Sequence, residues 1–281
     1  RIYILNGIEL DFREDGRGHA DRRRLTIRTN FDEHYTGSAR ASIAETTAMA
    51  LIRLSTCRPH PDKPDSGFVN LTVSCSPNAH SDFEGCQASL DLITQLTSVM
   101  KLLITYVDLK QLCIFANEWV WSMNIELMYE QLNGNIFDVG SVALKAALLT
   151  TIIPNVVKNE HVEDSAEIKL PDKPELKKLK VPNFPLIVTF FKTRNEIFID
   201  AHSKEEAVTI GRLIFAIDDQ GTIKFLRKYG KGAIQSAGLS LAIDEIRPIA
   251  IALHEKVNSI LLQDLDPLAA FDRQIEEPDD K

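Results

Sequence analysis

The chain has 281 residues, 44% of them hydrophobic and 26% charged, enough for one large or two ordinary packed domains and unlike a disordered chain. A net charge of −8 and a pI near 5.4 argue against a free-standing nucleic-acid binder, because neutralising phosphates needs clustered Lys and Arg. The longest apolar stretches, such as Leu186 to Phe191, are too short to span a bilayer. No membrane segment is expected, and Arg1 to Leu10 lack the basic, apolar, small-residue progression of a secretory signal.

Leu25 to Thr29 alternates apolar and polar residues. Ser38 to Ile43 and Ala48 to Ser55 repeat short extended patterns around the turn-like Ala44 to Thr47, which predicts a β-meander. Pro59, Pro61 and Pro64 make Arg58 to Gly67 a loop, after which Phe68 to Cys75 returns as a strand. Leu90, Ile93, Leu96, Met100 and Leu103 recur at helical spacing and predict a helix over Ala88 to Thr105 with one buried face. Cys113 to Phe115 and Trp119 to Tyr129 read as strands turned by Ala116 to Glu118. A helix is expected from Asp138 to about Ile152, capped by Asp138 or Ser141. It is apolar on most sides and so is expected between two layers.

Asn159 to Pro185 is rich in charge and proline and is the best candidate for a connection between halves. Beyond it, Leu186 to Lys192 and Glu196 to Ala201 form one hairpin about Thr193 to Asn195. Leu213 to Asp218 and Thr222 to Arg227 form another around Asp219-Gln220-Gly221. A closing helix over Ala237 to Gln263 places Leu239, Ile243, Ile246, Ala250, Leu253, Val257 and Ile260 on one face, with a kink expected at Pro248. The acidic tail from Asp266 to Lys281 is expected to fray. The fold class expected is α/β (α+β), with two β-α-rich halves, 1–185 and 186–265, mixed sheets, helices packed between them, and a tail at 266–281.

Several local patterns are weaker. Cys57, Cys75, Cys86 and Cys113 form no CxxC pair and have no His at ligand spacing, so reduced core thiols are expected rather than a zinc site or a disulfide framework. Arg22-Arg23-Arg24 reads either as a nucleic-acid patch or targeting signal, or as a solvated or partner-facing start of a strand. The flanking Asp21 favours the second. His80-Ser81-Asp82 and His202-Ser203 lack triad geometry, and no Gly-x-Ser-x-Gly elbow is present. Gly230-Lys231-Gly232 lacks the spacing of a P-loop and reads as a turn.

Two β-rich halves, each followed by helices, behind Arg13-Glu14-Asp15-Gly16-Arg17, resemble the RNase PH fold of phosphorolytic exoribonucleases. Four further stretches resemble ring subunits of the eukaryotic RNA exosome: Gly37-Ser38-Ala39-Arg40, Phe83-Glu84-Gly85, Asn133-Gly134-Asn135-Ile136-Phe137-Asp138, and Asp200 followed by Glu205-Glu206. The resemblance runs from about Asn6 to Leu262. Within it, Arg17 is expected to be ordered against carbonyls or a carboxylate. One of Trp119 and Trp121, read as pointing to opposite faces of their strand, is expected in the core and the other toward a neighbouring subunit.

Phosphorolysis needs a cradle for the attacking phosphate and acidic groups near the leaving oxygen. In active members of the family the loop before the second helix runs Gly-Gly-Thr-Arg. Here Asn133 precedes Gly134, Asn135, Ile136 and Phe137 at those positions, and Ile and Phe offer phosphate no donor side chain. The family's Glu-Glu-Asp with a second Asp six residues on maps to Glu205-Glu206-Ala207 and Leu213, so both Asp positions, Ala207 and Leu213, lack a carboxylate. The resemblance therefore implies a non-catalytic structural subunit with no cofactor and no metal. Its partners would be other RNase PH-like exosome subunits in a six-membered ring, S1/KH-domain cap proteins, and RNA passing through the channel. The setting it implies is 3′–5′ RNA processing and degradation in nucleus, nucleolus and cytoplasm. Lys101, Arg40 and Arg58 are candidates for the RNA path, each with a plain surface charge as the alternative, and Cys86 stands where a relative often has Arg. The rival reading is a phosphate-dependent 3′–5′ exoribonuclease.

Overall fold

Small residues at alternate strand positions decide how the first sheet meets its helices. The computed structural model describes residues 2–77, 79, 87–158, 168–169, 171, 176–194, 196–233 and 236–265. After the short helix α1 (Ile2–Glu9), strands β1 (Leu25–Thr29), β2 (Gly37–Ile43) and β3 (Thr46–Cys57) form an antiparallel meander. Ala39, Ala41 and Ile43 on β2, with Ala48, Ala50 and Ile52 on β3, are all buried. Period-two alternation puts them on one face, and the four alanines let a helix lie close against it. β4 (Phe68–Cys75) runs parallel to β6 (Trp119–Gln131). A parallel return needs a long crossover, and α2 (Gln87–Ile104) supplies it. β5 (Cys113–Phe115) pairs with the start of β6, and the sheet order is β1-β2-β3-β6-β4.

The next helix, α3 (Ile136–Thr150), is buried at every position but Leu149. Two short antiparallel pairs then link the halves: β7 (Ile152–Pro154) with β10 (Leu176–Lys178), and β8 (Val157–Lys158) with β9 (Ile168–Lys169). The second sheet is antiparallel, in the order β12 (Ile197–Ile199), β11 (Leu186–Lys192), β13 (Gly211–Ile217), β14 (Ile223–Gly230). α4 (Ser203–Glu206) sits between β12 and β13, and α5 (Ser236–Leu265) closes the described chain. α3 packs against β2 and β3 on one side and β11 on the other, so the expected sandwiched helix is observed. Thr189 Oγ1 donates to Asp138 Oδ1 (2.8 Å), and the Ile187 N–H donates to Ser141 Oγ (3.0 Å), which fixes α3 on β11. α5 lies against β1 and β11 and buries Ala242, Ile246, Ala250, Leu253, Val257 and Leu261.

One buried ionisable pair joins α3 to α5. His254 Nε2 lies 2.8 Å from the Ile217 carbonyl and therefore donates to it, leaving Nδ1 to accept from Lys145 Nζ, also at 2.8 Å. The histidine is thus neutral and the lysine charged. Burial, reinforced by the Lys145 charge, holds the His254 pKa down to about 4, and burial lowers that of Lys145 to about 8.

Several expectations are corrected. Leu90 is 58% exposed, because the buried face of α2 begins at Leu96. Asp138 and Ser141 do not cap α3; they lie inside it, bonded to β11, and Asn135 takes the cap position. Trp119 and Trp121 are two residues apart and therefore share a face of β6, with Trp121 buried and Trp119 half-buried. Cys57, Cys75 and Cys113 are half-buried free thiols rather than core residues, while Cys86 falls outside the described residues. Leu179, Val181 and Phe184, within the expected connection, are buried core residues. Phe83-Glu84-Gly85, His80-Ser81-Asp82 and the tail lie outside the described residues.

Candidate functional site

The loop before α3 is shaped by backbone constraints. Gly134 has φ +81°, and a Cβ there would lie 2.4 Å from the Ala201 carbonyl oxygen, so only glycine fits without displacement. Asn135 follows at φ 57°, a left-handed conformation that asparagine tolerates better than most residues. The Asn133 N–H donates to Thr46 Oγ1 (3.0 Å), and the Thr46 hydroxyl donates to the Gly134 carbonyl (2.7 Å). Asn133 Nδ2 also donates to Glu45, so the β2–β3 hairpin holds the loop from one side.

From the other side it is held by a buried arginine. Arg23 donates to both Asp200 carboxylate oxygens, with Nη2 2.8 Å from Oδ1, and to the carbonyls of Asn133 (2.9 Å) and Gly134 (3.3 Å). Asp200 also accepts from the Arg23 N–H (2.6 Å) and from Asn135 Nδ2 (2.8 Å). Burial alone would raise the Asp200 pKa, but the Arg23 hydrogen bonds and charge, with the Asn135 amide, hold it below its usual value. Asp138, fully buried in the first turn of α3, is pushed up to about 6 by burial against the pull of Arg22 and Thr189. The expectation of a solvated Arg22-Arg23-Arg24 is therefore corrected: Arg24 is exposed, Arg22 half-buried beside Asp138, and Arg23 buried.

A parallel clasp involves Arg13. It is 1% exposed and forms a bidentate pair with Glu205 (2.8 and 2.5 Å) while donating to the carbonyls of Ile199 and Asp200. Glu205 also accepts from the His202 N–H (2.8 Å), completing a capping box on α4 that gives His202 a structural role. Arg17 bonds Asp15, the Asp21 and Asp200 carbonyls and the Asp200 carboxylate, as expected.

Glu206 turns the other way. Its Oε1 accepts the Asn135 N–H (2.7 Å), and its Oε2 lies 4.0 Å from Arg212 Nη1. Burial raises its pKa against the opposing pull of Arg212, the Asn135 N–H and Arg23. Arg212 stacks over Phe137 (4.9 Å) and Tyr229 (5.7 Å), whose rings are themselves stacked at 6.0 Å, and donates to Gln95 Oε1 (3.1 Å). Glu206, Arg212, Tyr229 and Gln95 line a small cleft there.

The loop positions Asn133, Gly134, Asn135, Ile136 and Phe137 thus come together with Glu206, and Ile136 and Phe137 point into the core. Ala207 and Leu213 do not meet. Ala207 is exposed at the end of α4, while Leu213 is buried opposite Phe190, its neighbour Arg212 reaching the cleft instead. The RNA-path candidates are scattered. Lys101 is exposed beside a groove with Leu71 and Val107, and Arg40 on β2 pairs with Glu130 (2.6 Å). Arg58 follows the far end of β3, roughly 30 Å along the strand from the residue opposite Arg40 at about 3.3 Å per residue. Sequence reasoning missed Arg23 and Arg212. The signal for Arg23 was present, since it continues the buried alternation of Leu25 and Ile27.

Comparison with known proteins fits this architecture. Residues 21–154 match the family model described as 3′ exoribonuclease family, domain 1. A protein of Thermococcus gammatolerans named exosome complex component Rrp42 is 32% identical, over 94% of either chain. The Rrp42 of Methanosarcina mazei is 28% identical over 94% of this chain and 93% of its own. Exosome complex component RRP45A of Arabidopsis thaliana is 28% identical over 84% and 77%. A solved Archaeoglobus fulgidus exosome with RNA bound to the active site matches with a TM-score of 0.76 and 25% identity, covering 91% of this chain and 96% of that one. A chain of an archaeal exosome core shares the fold with a TM-score of 0.74, covering 92% and 95% at 24% identity. The chain belongs to the RNase PH-like family, among relatives named exosome components of the Rrp42 and RRP45 type.

Proposed function

We propose that this chain is a non-catalytic structural subunit of an RNA exosome core. It would pair with other RNase PH-like subunits in a six-membered ring under S1/KH-domain caps, with RNA passing through the channel to a separate nuclease. The observation that carries the reading is the start of α3. Where a phosphorolytic enzyme needs hydroxyl and guanidinium donors facing outward, Ile136 and Phe137 face inward and are buried. The Asn135 N–H is already taken by Glu206, and neither Ala207 nor Leu213 supplies an acid.

An assembly role is supported by α1 and the residues just after it, which pack against α4 on the same side as the loop before α3. Ile2 and Tyr3 at the start of α1, and Leu10 and Phe12 just past its end, are all more than two-thirds exposed, large apolar side chains that a neighbouring subunit would cover. β1 and β4 are also sheet edges of the described chain. Co-expression with RNase PH-like ring subunits of the same organism is expected to give a stable complex, and the chain with RNA and phosphate is expected to release no nucleoside diphosphate. A well-behaved monomer with no affinity for ring subunits would sink the assembly reading. Phosphate-dependent release that survives repurification and disappears on Glu206→Gln would establish the exoribonuclease instead.

A further inference from the structure

A strand at the edge of a sheet presents unpaired N–H and C=O groups, and folded proteins guard such edges with charge, proline, a bulge or shortness. The other edges of the two main sheets are guarded here. β5 and β12 are three residues long, β1 carries Arg28, and β14 carries Lys224, Arg227 and Lys228. β4 has none of these devices: its eight residues, Phe68 to Cys75, include no charge and no proline, and they pair with β6 in unbroken register. Among the described residues, no backbone hydrogen bond reaches β4 from the side away from β6.

Beside this edge lies a groove of about 400 Å³. Its apolar lining is Val69 and Leu71 of β4, Ile104 at the end of α2, and Val107 and Leu109 beyond it. Lys101, exposed in the last turn of α2, adds one positive charge. Val69 and Leu71 pack against the core, whereas Asn70 points to the opposite face and bonds Asn124. Asn70 nevertheless lines the same groove, so the groove opens along the edge of the strand, where the free backbone groups are.

We propose that β4 and this groove receive an extended segment of a partner protein, which adds to the sheet as a further strand and sets a carboxylate against Lys101. The edge supplies main-chain hydrogen bonds and the groove takes alternate side chains, so the partner's segment carries apolar residues at every second position and one acidic residue among them. The observations favour a peptide over RNA, because the lining holds a single cation where a nucleic-acid backbone needs several. The proposal goes beyond the ring role by assigning one edge to a segment of stated chemistry, and it does not rest on the α3 loop.

The probe is a short fluorescein-labelled peptide with Val, Glu and Val at alternate positions and Thr at the others, beside a second peptide carrying Lys in place of Glu. Each is titrated against the full chain by fluorescence anisotropy, and hydrogen exchange reports on the β4 amides. The Glu peptide is expected to bind about fivefold more tightly than the Lys peptide and to slow exchange in Phe68–Cys75, and Lys101→Glu is expected to reverse the preference. Leu71→Lys, which sets a charge in the groove wall, is expected to abolish binding of both peptides. Lys101→Glu changes an exposed position and carries the test should Leu71→Lys not fold. Absence of binding, binding without protection of β4, or a preference that Lys101→Glu leaves unchanged would overturn the proposal. So would a dimer of this chain, seen by light scattering, that alone protects β4, or an RNA oligonucleotide that binds there in place of the peptides. Each of these results leaves the ring reading standing, since co-expression tests that separately.

Discussion

Replacing His254 by Gln isolates the one histidine, among the described residues, whose side chain is buried and whose titration the structure makes costly. In the folded chain its pKa is about 4 against a reference value of 6.5, so between those values the unfolded chain binds more protons and stability rises with pH. At about 1.4 kcal/mol per pKa unit, the wild type should lose about 2 kcal/mol on going from pH 7 to pH 4.5 through this residue alone. Gln can still donate to the Ile217 carbonyl and accept from Lys145, so the contacts at 2.8 Å are largely preserved while the titration is removed. Lys145, Asp218 and Asp219 act on the site in both proteins, and the difference between the two stability curves cancels their own titrations to first order. Urea unfolding of both proteins at intervals from pH 4.5 to 7.5 is the assay. The expected result is a difference that shifts by about 2 kcal/mol in favour of the variant as pH falls. A difference that stays flat across that range would refute the assignment of a neutral, lysine-bonded imidazole.

Asp200→Ala leaves the buried Arg23 and the Asn135 amide without their carboxylate. It should cost about 3–5 kcal/mol in urea unfolding, and a loss under about 1 kcal/mol would show that the hub does not hold the loop. Gly134→Ala forces a Cβ into backbone 2.4 Å away at φ +81° and should cost about 2–4 kcal/mol, whereas an unchanged unfolding midpoint would mean that the loop shifts freely.

The strands of the meander and the two later hairpins were legible because period-two alternation and turn residues are local signals. β4 running parallel to β6 was not, because that pairing depends on the path of α2 rather than on either strand's composition. The start of α3 was placed late because a helix apolar on all sides gives no phase from which to read its first turn. Arg23 was misread for a related reason. A run of three arginines looks solvated until a carboxylate 177 residues away buries the middle one. The Glu206 contact likewise joins the end of α4 to the loop before α3, two segments with no shared local pattern, so the residues were legible in the sequence and their contact was not.

The most direct test is a reconstituted ring in which the acidic residues of the neighbouring RNase PH-like subunits have been neutralised. RNA bearing a free 3′ end and inorganic phosphate are added, and nucleoside diphosphate release is measured. The account predicts that the ring assembles and that release stays at the level of a no-enzyme control. Phosphate-dependent release from such a ring, abolished by Glu206→Gln in this chain, would contradict it.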